Sequence, residues 1–98
     1  MTEQEWLLIK LSEECAEVIQ ECTKSLCYGL SHKNPYSEGG ATNRDLLNEE
    51  LNDVIGVLRL LAEYDVIPFE VDEGKVLQKK IKVLKSKEYA KAIGIIDL

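Results

Sequence analysis

Two stretches of this chain place apolar residues at steps of three and four, a pattern that a pair of amphipathic helices satisfies and a strand does not. In the first, Leu7, Leu11, Cys15, Val18, Cys22 and Leu26 line one face. In the second, Leu47, Leu51, Val54, Leu58 and Leu61 do so. The punctuation agrees with the periodicity. Thr2 stands three residues before Glu5, the spacing of a capping box, which sets a helix from about Thr2 to Cys27 with Gly29 free to supply a left-handed cap. Thr42 or Asn43 caps the second helix, with Asp45 in its first turn. It runs to about Tyr64, ahead of Pro68, which blocks continuation. A third, shorter helix is expected from about Val71 to Lys85, carrying Val76, Leu77, Ile81 and Leu84, with Gly74 weakening its first turn. The tail from Glu88 to Leu98 reads equally as a strand, a docking arm or a frayed end. Between the long helices, Gly29 to Thr42 is too polar and broken for a regular element. Loops of that length in small domains are functional or disordered.

The expected fold is therefore all-α: a bundle of two long antiparallel helices plus a shorter third, within a single domain over 1–98. The hairpin of long helices covers about 3–65, and the third helix with its tail about 70–98. Three such stripes do not close a four-sided core, so oligomerisation is expected to complete it, most simply as a dimer about a two-fold axis. The 98 residues hold 18 acids against 12 bases, a net charge of -6. A phosphate backbone is repelled by such a surface, which argues against nucleic acid as partner. No apolar run reaches the ~20 residues of a membrane span, and Thr2, Glu3, Gln4 and Glu5 lack the basic start of a secretory signal. A cytoplasmic protein is expected. Cys15, Cys22 and Cys27 are odd in number and form no C-x-x-C, so they read as reduced packing thiols.

Several acids stand where a solvated surface would not put them. On a wheel of 100° per residue with Glu50 at zero, Leu61, Val54 and Leu47 fall at about 20°, 40° and 60°, and Val57 at about -20°. Glu50 lies inside the apolar stripe, where an unpaired ionised carboxylate is costly, and Asp53 lies at its edge. The first helix repeats the anomaly, with Glu14, Glu17 and Glu21 bordering the face of Leu7, Leu11 and Val18; Glu13 points further round, toward solvent. If the helices pack antiparallel through their apolar faces, the two acidic pairs converge and repel one another. A cation must compensate. Oxygen donors with no His or Cys beside them select a hard one, Mg²⁺ or Mn²⁺.

Glu13-Glu14-Cys15-Ala16-Glu17 and Glu49-Glu50-Leu51-Asn52-Asp53 resemble the E-E-x-x-E and E-E-L-x-D motifs of the all-α nucleoside triphosphate pyrophosphohydrolases, the superfamily of MazG, the dimeric dUTPases and HisE. The resemblance covers roughly residues 5 to 65, and the short form is similar to MazG-like proteins carried by phages. It implies a Mg²⁺-dependent enzyme in which Glu14, Glu17, Glu50 and Asp53 bind the metal. Water then attacks the α-phosphorus, releasing a nucleoside monophosphate and pyrophosphate, with either Glu14 or Glu17 activating that water. The unclosed helical core leads to the expectation of a homodimer or homotetramer. The interval from Glu17 to Glu50 is long for this family, and the excess lies in the loop. For the substrate, Lys10 and Lys24 flank the acidic column, Lys33 and Arg44 border the loop, and each reads equally as a solvated cation. Asn43 reads as a cap or a contact. Trp6, Tyr28 and Tyr36 offer rings for a base, although Trp6 fits packing better; His32 reads as an ordinary surface residue. Two alternatives stand beside this enzyme: a phosphoribosyl-ATP pyrophosphohydrolase, and a non-catalytic helical module that binds a protein partner.

Overall fold

A computed structural model describes residues 1–36 and 38–97, and within them the chain is all-helical. Helix α1 spans Glu3–Tyr28, with the Thr2 hydroxyl accepting from the Glu5 amide at 3.1 Å. Gly29 ends it at φ 98°, a value that disfavours any side chain, and its amide donates to the Ser25 carbonyl at 2.8 Å. Helix α2 spans Asn43–Glu63 and starts with a reciprocal capping box between Thr42 and Asp45. Asp45 accepts from the Thr42 amide at 3.0 Å, and that bond holds its carboxyl below the ordinary range. Asp65, at φ 57°, turns the chain out of α2 before Pro68 is reached. Helix α3 spans Glu73–Ala92, capped by Asp72, whose side chain accepts from Lys75 at 3.1 Å.

The first two helices form an antiparallel hairpin. At one end, the Asn43 side chain donates to the Gly29 carbonyl at 2.9 Å, and the amides of Asn43 and Arg44 donate to His32 and Leu30, both at 3.0 Å. At the other, Glu3, Gln4 and Leu7 share a hollow with Tyr64, Asp65 and Val66. The core between them is one seam wide. Leu61 is fully buried, Leu7 and Asn43 nearly so, and Leu11, Val18, Val54, Val57 and Leu58 are half-covered.

Two expectations need correction. The third helix is the shortest of the three but longer than expected: at 20 residues it nearly matches the 21 of α2 and runs seven residues past Lys85. Nothing from Ser86 to Ala92 stops a helix, and Lys91 pairs with Glu88 at 3.7 Å within the last turns. The Ile-Gly-Ile-Ile segment is the helix stop rather than a strand: Gly94 lies at φ 81° and the amides of Gly94 and Ile95 close onto Lys91 and Ala90. The remaining expectation for the tail, at Leu98, lies outside the described residues. Nor are the cysteines packed. Cys15, Cys22 and Cys27 are all free thiols on exposed positions, because α2 covers α1 along a single line and leaves its flanks open.

Among the described residues α3 packs on neither α1 nor α2. Residues 71–89 are exposed throughout, including Leu77, Ile81 and Leu84 on its apolar face. The radius of gyration is 17.0 Å, against about 13 Å for a compact domain of this length. No described helix is long and apolar enough to cross a membrane.

Candidate metal centre

The hairpin brings the two acidic pairs together at mid-length. One carboxylate oxygen from each of Glu14, Glu17, Glu50 and Asp53 lies within 4.8 Å of the others. The geometry follows from helical phase: each pair is spaced by three residues, one turn, and the caps at Thr2 and Thr42 fix where the turns begin. Glu14 and Glu50 sit inward and are partly buried, whereas Glu17 and Asp53 form the open rim.

The electrostatics of this group are unfavourable as it stands. Glu50 is pushed up to about 7 by hydrogen bonding to Glu17, by burial and by the charges of Glu17, Asp53 and Glu14. Glu14 is raised as well, through burial first and then through Glu17. Glu14 Oε2 and Glu50 Oε2 are shielded from solvent without a hydrogen-bond partner. A buried acceptor without a donor is a costly arrangement in a protein interior. Four carboxylates, two orphaned oxygens and no His or Cys in the group make a donor set that fits a hard divalent cation.

The other candidates divide into two groups. Lys24, Tyr28 and Asn43 meet at the loop end of the hairpin, where they line one cavity with His32 and Asn34. Lys10 and Trp6 lie at the opposite end: the Lys10 ammonium is 3.0 Å from Glu13 Oε2 and 5.0 Å from the centre of the Trp6 ring. Lys33 pairs with Thr42 across the loop mouth through a single bridge, and Arg44 is exposed. Tyr36 is 92% exposed and lines none of these hollows.

Two residues outside the four gain weight in the structure. Glu21 holds Lys24 at 2.7 Å through Oε1, while its Oε2 is buried and without a partner. It lies one turn beyond Glu17 on the same face, and that spacing is its only signal in the sequence. His32 is a wall of the loop-end cavity rather than a plain surface group, its ring 5.5 Å from that of Tyr28.

Comparison with protein-family models, with curated proteins and with solved structures finds no match to this chain.

Proposed function

We propose that this chain is a Mg²⁺-dependent nucleoside triphosphate pyrophosphohydrolase of the MazG-like type, converting a triphosphate to its monophosphate and pyrophosphate. The observation that carries the reading is the convergence of Glu14, Glu17, Glu50 and Asp53 within 4.8 Å. These four residues would hold the cation. When bound, it neutralises the polyphosphate and polarises the phosphorus–oxygen bonds. A chain of net charge -6 needs such an intermediary before it can bind a polyanion.

The chain's own side chains supply position and proton handling. Glu14 and Glu50 are the inward pair and fix the depth of the site. Glu17 and Asp53 form the rim, and of the two α1 acids the rim residue Glu17 would orient a water arriving from solvent and take its proton. Mn²⁺ has the same preference for oxygen donors and would substitute.

The same reading includes a second copy of the chain. Residues 73–92 hold seven lysines and two acids, whereas residues 1–72 hold fifteen acids and five bases. A basic helix with an uncovered apolar face and an acidic hairpin with open flanks are complementary. A homodimer in which α3 of each copy covers the hairpin of the other satisfies both. The exposed face of α3 is also what a non-catalytic interaction module would present, which keeps that alternative in the test.

The deciding experiment is pyrophosphate release from a panel of ribo-, deoxyribo- and base-modified triphosphates, with and without Mg²⁺. Release from at least one that requires Mg²⁺ and is lost in Asp53→Asn is expected. No turnover across the panel, with the fold intact by circular dichroism, overturns the enzyme reading for ordinary nucleotides.

A further inference from the structure

One regularity of α1 is untouched by the metal-site reading. Counted from Glu17, a lysine and an aromatic residue recur at equal intervals in both directions. Lys10 and Trp6 stand seven and eleven residues before it, and Lys24 and Tyr28 stand seven and eleven after it. Intervals of seven and eleven return a helix to within about 20° of its starting direction. All five side chains therefore follow one line along α1, with the lysines about 10 Å and the rings about 16 Å from Glu17 along the axis. On α2, Asn43 precedes Glu50 by seven residues and shares its direction by the same arithmetic. The carboxylate cluster thus sits midway along a line of side chains with a ring at each end.

The two ends are built differently. Both rings are exposed, Trp6 to 51% and Tyr28 to 67%, and Lys10 lies across the Trp6 ring while paired with Glu13. The Tyr28 end is a cavity of about 190 Å³ lined by Lys24, Tyr28, His32, Asn34 and Asn43. Its walls are held in place. Asn43 is 3% exposed and bonded to the Gly29 carbonyl, and the His32 carbonyl accepts from the Asn43 amide. The Tyr28 and His32 rings lie 5.5 Å apart, inclined by 30°. Such a cavity offers ring faces to a flat heteroaromatic and polar groups to its edge. It suits a phosphate less well, since the Lys24 ammonium is already engaged 2.7 Å from Glu21.

We propose that this loop-end cavity seats the nucleobase of a nucleoside polyphosphate whose phosphates lie at the carboxylate cluster. The inference rests on the pyrophosphohydrolase reading and gives the substrate a direction: base toward Tyr28 and His32, sugar alongside Lys24, terminal phosphates on the far side of the cluster from the cavity. Two helical turns separate the cavity from the carboxylates, room for a ribose between base and first phosphate.

The test is calorimetric binding in Ca²⁺, with inorganic tripolyphosphate and each of the four deoxynucleoside triphosphates as probes. A base that stacks on a ring gains about fivefold or more in affinity, so at least one nucleotide should exceed tripolyphosphate by that factor. Tyr28→Ala should reduce that nucleotide to the level of tripolyphosphate and leave tripolyphosphate itself unchanged, the latter reporting an intact cluster. Tyr28→Phe, which keeps the ring, should retain the preference, and so should Trp6→Ala. The proposal is overturned by a preference that survives Tyr28→Ala, by one that disappears in Trp6→Ala or Tyr28→Phe, or by none in the wild type. Should the wild type bind neither probe, the polyphosphate reading itself fails and this inference with it.

Discussion

With its carboxyl held up at about 7 by hydrogen bonding to Glu17, by burial and by the charges around it, Glu50 takes up a proton on folding that an unfolded chain would not hold. The direction of the pH effect follows. Between the ordinary carboxylate range and about 7 the folded state binds more protons than the unfolded one, so the metal-free protein loses stability as pH rises through that window. Glu14, raised by burial and by Glu17, adds to the same trend. The metal-free melting temperature should therefore be higher at pH 5 than at pH 8. A divalent cation competes with these protons, so the gain in melting temperature on adding Mg²⁺ should grow over the same interval. Glu50→Gln removes the charge and keeps the shape. In that variant the metal-free protein should melt on the order of 5 °C higher at pH 8 than the wild type, and the Mg²⁺ increment should shrink. Scanning calorimetry at both pH values, with Mg²⁺ and with chelator, checks all three; a metal-free wild type that gains stability from pH 5 to 8 would refute the sign.

Each helix is secured at its ends by local chemistry and between them by very few core contacts. Leu61 is fully buried, and Leu7 is the next most buried apolar side chain. Leu61→Ala should cost about 2–5 kcal/mol, whereas Thr42→Ala, which removes half of a capping box, should cost about 1 kcal/mol. Urea unfolding followed by circular dichroism ranks the two; equal losses would mean the hairpin is held by its caps rather than its seam. This contrast also bears on what the sequence made legible. The caps at Thr2, Gly29 and Thr42 were readable because each rests on bonds made within a few residues. The convergence of Glu14 and Glu17 on Glu50 and Asp53 was readable because a three-residue step fixes direction on a helix. The length of α3 was not. No strong stop precedes Gly94, and the β-branched run around it resembles a strand when read locally. The loop-end cavity was not readable as a unit either, because it depends on Asn43 reaching back fourteen residues to Gly29.

At the scale of the whole molecule, an apolar stripe states which face needs cover and is silent about what covers it. On α3 that face includes Leu77, Ile81 and Leu84, all exposed, and the lysines Lys80 and Lys87 lie on its flank, about 60–80° from Leu77. A helix of this kind gains little from its own hairpin, with which it makes no packing contact among the described residues. Against the hairpin of a second copy, as proposed, it would gain twice, through burial of the stripe and through attraction between its lysines and the acids of α1 and α2. The two contributions separate experimentally because salt screens one and not the other. Light scattering at micromolar concentration should give twice the monomer mass for the wild type. Ile81→Asp places a charge in the centre of the stripe and should give the monomer mass at any salt concentration. Lys80→Glu with Lys87→Glu should weaken the dimer at low salt and approach the wild type as salt rises, because only the attraction has been reversed. A wild type of monomer mass with full helicity would leave α3 for a different partner and remove the second copy from the proposed enzyme. A dimer that persists in Ile81→Asp would place the interface elsewhere on the hairpin.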